Sequence, residues 1–100
     1  MTLAEQFTRA RKTAFAEVKG LRPSVKRIQL APYVDAGGEN AIQVVVILDE
    51  GTSSAERNYA KLKPIEERIR QAIAGEQIGL WPYFWFRTAS EQRAAKLVAA

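Results

Sequence analysis

Ala41-Ile42-Gln43-Val44-Val45-Val46-Ile47-Leu48 is the stretch on which the fold turns. Seven of its eight residues are apolar and five are β-branched. Side chains on a strand alternate between two faces, and here neither face is polar. A strand of that kind is covered on both sides, so this segment is expected at the centre of a sheet. It is far shorter than the ~20 apolar residues that span a bilayer.

Upstream stands Asp35-Ala36-Gly37-Gly38-Glu39-Asn40, a cluster of turn-forming residues. Before it, Val25–Tyr33 reads as a strand, with Ile28 and Leu30 on one face and Arg27, Gln29 and Tyr33 on the other. Pro32 cannot donate to a ladder and marks an edge or an end. The two strands are expected to pair as a hairpin. Residues 3–19 carry Leu3, Phe7, Ala10, Ala14 and Val18 at helical spacing, widened by Phe15. Thr2 and Glu5 form a capping box at its start; Gly20 and Pro23 end it.

Downstream, Ser53 and Glu56 open a second helix, which runs to Gly75 with Tyr59, Leu62, Ile65, Ile69, Ala72 and Ile73 on one side. Pro64 inside that pattern predicts a kink or a division after Lys63. Leu80-Trp81-Pro82-Tyr83-Phe84-Trp85-Phe86-Arg87 is a third strand. A helical crossover between strands makes them parallel. Thr88, with Glu91 three residues on, caps an alanine-rich last helix whose apolar side is Ala94, Leu97 and Val98. The chain, 1–100, thus reads as one small two-layer α+β domain of order α-β-β-α-β-α. Its three-stranded sheet is mixed, and its helices lie mainly on one face.

Composition removes several classes of function. There is no cysteine and no histidine. Disulfides, thiolate nucleophiles, cysteine-ligated zinc and histidine general bases are all excluded. With no histidine a serine triad is excluded too. Asp35 and Glu39 lie at one end of the central strand and Asp49 and Glu50 at the other, roughly 25 Å away at ~3.3 Å per residue, so they cannot share an ion. No catalytic residue, cofactor or metal site is expected. The start, Met1-Thr2-Leu3-Ala4-Glu5-Gln6, lacks the pattern of a signal peptide, and a cytoplasmic setting with no membrane contact is expected.

Two features point towards binding. Five of the nine aromatic residues lie between Trp81 and Phe86. Alternation puts Phe84 and Phe86 on one face and Trp81, Tyr83 and Trp85 on the other. Tyr33, Val45, Ile47 and Arg87 join the second row. Trp, Tyr and Arg are the residues of binding hot spots. That face is either open, for a homodimer or a protein partner, or covered by the last helix. Pro32 and Pro82 block edge pairing and favour contact through the face.

The second feature is charge. Residues 1–27 hold seven cations against two carboxylates, in a chain of net charge +4. Arg9, Lys12, Arg22, Lys26 and Arg27 are candidate anion-binding residues, and nucleic acid is the alternative partner. The helix starts at Thr52-Ser53-Ser54 and Thr88-Ala89-Ser90 could also take an anion, although capping accounts for both.

The stretch Arg27–Glu50, followed by Trp85-Phe86-Arg87-Thr88-Ala89-Ser90-Glu91, resembles the minimal nucleotidyltransferase fold in its order of elements. That family carries Gly-Ser at the end of a first strand and Asp-x-Asp on a second. Here Gly37-Gly38 and Ala41-Ile42-Gln43 stand in those places. The resemblance therefore implies a catalytically inactive relative used for binding. The residues themselves predict a non-enzymatic protein-interaction module or homodimer.

Overall fold

The computed structural model describes the backbone of residues 1–99 and the side chains of residues 1–96. Leu97 and Val98, expected on the apolar side of the last helix, lie outside the described side chains. The element order is α1 (Leu3–Glu17), β1 (Val25–Val34), β2 (Asn40–Leu48), α2 (Tyr59–Gly75), β3 (Trp81–Thr88) and α3 (Ala89–Ala99). A short 3-10 turn, Ser54–Arg57, precedes α2.

The sheet order is β1-β2-β3. β2 is central, antiparallel to β1 and parallel to β3. Its burial follows from its composition: Ile42, Val44 and Val46 are 0% exposed, and Val45 and Ile47 on the other face only 3% and 2%. The hairpin turn is closed by Asp35, whose Oδ1 accepts the N–H groups of Gly37 at 2.9 Å and Glu39 at 3.0 Å. Gly38 follows at φ +82°, a conformation only glycine adopts without strain.

α1 starts as its sequence dictates. Thr2 Oγ1 accepts from the Glu5 N–H at 3.1 Å, and the Glu5 carboxylate takes the Thr2 hydroxyl at 3.0 Å. Its buried stripe is Phe7, Ala10 and Ala14, with Val18 at the cap. Phe15 does not belong to that stripe and is 36% exposed. α2 brings Ile65, Ile69, Ala72 and Ile73 to the same core. Against them the sheet presents Ile28, Ile42, Val44, Val46 and Leu48, with Phe84 and Phe86 alongside.

The expected division of the second helix falls elsewhere. Asn58, at ψ 156°, separates the 3-10 turn from α2, and its side chain accepts from the Lys61 N–H at 3.1 Å. Pro64 lies inside α2. Ala60 and Pro64 are both exposed, so the Ala60 carbonyl that loses its donor can turn to water. The capping asparagine, rather than the proline, sets the boundary.

α1 and α2 share one face of the sheet. α3 takes the other, where it meets β3 and β2. Its start is the capping box read from the sequence: Thr88 Oγ1 accepts from the Glu91 N–H at 3.2 Å, and Glu91 Oε1 accepts from the Thr88 N–H at 2.8 Å.

Candidate functional site

The second face of the sheet is divided between α3 and solvent. Register aligns Arg27, Ile47 and Arg87 in one row and Gln29, Val45 and Trp85 in the next. α3 lies over this end. Its Gln92, 8% exposed, accepts from Arg87 Nη1 at 2.7 Å and donates through Nε2 to Gln29 Oε1 at 3.4 Å. At this end Val45 and Ile47 are buried and Arg87 is half-buried. Of the two alternatives, a face open to a partner or one covered by the last helix, this end has the second. Gln92 thereby pairs with two polar side chains that are half-buried here.

The other end of this face stays open. Tyr33 stands between two aromatics, its ring 5.3 Å from that of Trp85 at 75° and 5.6 Å from that of Tyr83 at 59°. These tilted and edge-on arrangements are the ones aromatic quadrupoles favour. The Tyr83 hydroxyl donates to Asp35 Oδ2 at 3.0 Å, which ties β3 to the hairpin turn across β2. Trp81 does not join the row. Its indole lies 4.8 Å from the guanidinium of Arg70 on α2, which also stands 5.0 Å from the Phe84 ring. As the first residue of an edge strand, Trp81 has free space beside it and turns to the cation. It stays 61% exposed. Close by, Leu3, Pro32, Tyr33, Val34, Ala41 and Leu80 line an apolar groove.

The candidate anion-binding residues separate into three places. Arg9 Nε pairs with Glu76 Oε1 at 3.1 Å. Arg22 lines a polar hollow with Asp49 and Glu56. Lys12, Lys26 and Arg27 gather at a groove between α1 and β1, where Arg11, Phe15 and Ile28 join them. Arg11 was missed because charge alone does not show direction. Its spacing of four from Phe15 places the two side by side on the helix and could have revealed it.

Both helix starts considered for anions are occupied by the protein's own carboxylates. Glu56 accepts from the Ser53 N–H and hydroxyl, each at 3.1 Å. At α3, Glu50 Oε1 accepts from the Ser90 N–H at 2.7 Å and its hydroxyl at 2.9 Å. Glu91 also takes Arg57 Nη1 at 2.8 and 3.0 Å. Among the described residues no three histidine, cysteine, aspartate or glutamate side chains gather at a point. Gly37-Gly38 lies in the hairpin turn, and Ala41-Ile42-Gln43 opens β2 beside Trp81-Pro82-Tyr83. Among the described residues no helix is long and apolar enough to cross a membrane.

Acid should weaken the fold. Hydrogen bonds from the Glu39 backbone, then from Tyr83 and the Gly37 backbone, hold the Asp35 carboxyl below its ordinary range. The Gly51 backbone and Lys26 do the same for Asp49, the Ser53 backbone and hydroxyl for Glu56, and the Thr88 backbone and Arg57 for Glu91. A carboxyl that ionises more readily in the folded state stabilises the fold above its unfolded pKa, and that stability is lost as pH falls through the lower folded value. Melting temperature is expected to stay nearly level from about pH 7 to 5 and to fall below about pH 4. Asp35→Ala should make the acid decline shallower. Scanning calorimetry across pH checks this; a melting temperature that rises on acidification would contradict it.

Set against family models, curated proteins and solved structures, the chain matches none. Fold and surface define it as a small α+β domain with one partly open aromatic sheet face.

Proposed function

We propose that this chain is a non-enzymatic interaction module that associates with a second copy of itself through the open aromatic end of its sheet. The observation that carries this reading is Trp81, an indole 61% exposed yet held in place by Arg70. Val34, also 61% exposed, and Leu3, 40% exposed, extend the apolar surface around the groove. An exposed indole beside an arginine, rimmed by smaller apolar groups, has the composition of a contact centre. Fixing the ring in advance lowers the entropy cost of association. The prolines in both edge strands, Pro32 and Pro82, disfavour growth by strand addition, so contact through the face and its end is the natural mode. The cysteine-free composition agrees with a cytosolic setting. An inactive relative of the nucleotidyltransferase fold would be used in the same non-catalytic way.

Sedimentation equilibrium over a wide concentration range tests the proposal. The weight-average mass should rise towards that of a dimer. Trp81→Ala and, separately, Val34→Asp should return it to the monomer value with little change in melting temperature, because both side chains are exposed. A monomer at every concentration, or a dimer untouched by both substitutions, would overturn the reading.

A further inference from the structure

The groove between α1 and β1 is a second surface, lined by other residues than the apolar groove at the aromatic end. Arg11 and Lys12 reach it from the helix, Lys26 and Arg27 from the strand, and Phe15 and Ile28 supply its apolar lining. Among the described residues, Lys26 Nζ meets Asp49 Oδ2 at 3.3 Å, whereas Arg11, Lys12 and Arg27 form no ion pair. No carboxylate lines the groove. Lys19 Nζ stands 6.0 Å from the Phe15 ring, at the outer limit of cation–π contact, and adds positive charge beside it.

Phe15 lies outside the buried stripe of α1 and is 36% exposed. The buried stripe of α1 is complete without it, and a helix in contact with water would ordinarily carry a polar residue there. An exposed ring beside Arg11, Lys12 and Arg27, three cations that form no ion pair among the described residues, fits a ligand that combines negative charge with a flat aromatic group at short repeat. We infer that the α1–β1 groove binds single-stranded nucleic acid, with phosphates against Arg11, Lys12 and Arg27 and a base stacked on Phe15. A duplex keeps its bases stacked on one another and offers the ring nothing, so the unpaired strand is the form the groove suits.

Fluorescence anisotropy with labelled oligo-dT and oligo-U of about ten nucleotides tests this, since sites on small domains span roughly 4–16 nucleotides. Binding is expected at low salt. Its logarithm should fall with log salt at a slope near −2, which three released counterions give on a single strand at about −0.7 each. Lys12→Glu combined with Arg27→Glu should abolish binding. Phe15→Ala should weaken binding at least about five-fold, the lower end for loss of one stacked base, with the salt slope unchanged. Circular dichroism melts of each variant should match the parent, since these side chains are exposed. A duplex of the same length and anionic lipid vesicles serve as competitors. The inference fails if neither oligonucleotide binds at low salt. It fails if the double charge reversal leaves binding intact, if Phe15→Ala has no effect, or if duplex or vesicles bind more tightly than the single strands. Dimerisation through Trp81 is a separate measurement, and either result there leaves this one standing.

Discussion

Ile42→Ala is expected to lower stability by about 3 kcal/mol, within the ~2–5 kcal/mol range for truncating a buried isoleucine. Ile42 is 0% exposed and sits in the central strand, opposite Pro32 on one side and Pro82 on the other. Its side chain points into the layer formed by α1 and α2 and belongs to the same core as Phe7, Ile69 and Ile73. None of the neighbouring elements can close on the space left behind without distorting the sheet, so the cavity term adds to the transfer term. A domain of this size loses roughly 4–8 °C of melting temperature per kcal/mol, so a fall of at least about 12 °C is expected. Against a total stability of ~5–15 kcal/mol, the variant should still fold at low temperature. Val34→Ala, on the adjacent strand but 61% exposed, should change the melting temperature very little and serves as the control. Chemical denaturation of both variants would show it. A loss for Ile42→Ala below about 1 kcal/mol would mean that the core is not close-packed around the central strand.

The second large effect is expected at Gln92. Substitution by alanine removes the bridge between the half-buried Gln29 and Arg87. Leaving polar groups partly buried without partners costs about 1–3 kcal/mol. The more specific consequence is local. α3 is fixed to the sheet by its Thr88–Glu91 cap, by the Glu91 contact with Arg57, by Ser90 on Glu50 and by Gln92. Among the described side chains of α3, Gln92 is the one whose hydrogen bonds reach over the sheet face. Without it the helix should separate from Val45 and Ile47 while staying capped at its start. In a Trp81→Phe background, Trp85 is the single indole, and its emission should shift to longer wavelength in Gln92→Ala. A dye that reports exposed apolar surface should bind more strongly. Unchanged emission together with unchanged stability would show that the helix does not depend on this bridge.

The layout of the sheet was legible because β2 announces itself. A run that is apolar on both faces has one place in a three-stranded sheet, and the crossover through α2 then makes β3 parallel to it. The caps were legible too, since Thr2 with Glu5 and Thr88 with Glu91 need only local spacing. What escaped depends on distance in space. Phe15 sits at helical spacing from other apolar residues, but the width of a buried stripe is set by what packs against it, and α2 covers only the side carrying Ala10 and Ala14. Strand alternation gave the directions of Tyr83 and Trp85 correctly and failed for the terminal Trp81, which found Arg70 instead. The side taken by α3 was the hardest to read. Among the described side chains, it involves a glutamine whose two partners lie 63 and 5 residues away along the chain. Arg70 and Gln92 were visible as letters, but nothing local marked either as a contact that decides what the surface exposes.

β3 ends at Thr88 and α3 begins at Ala89, with no residue between them. Exchange of a terminal element between copies needs a hinge that can straighten. Here the residue that would have to act as the hinge is a 4% exposed threonine, engaged at once in the ladder and in the helix cap. The terminal helix is consequently unable to trade places with that of a neighbour without first undoing the strand before it. The dimer we propose would therefore be built from closed, intact subunits and should come apart on dilution without unfolding.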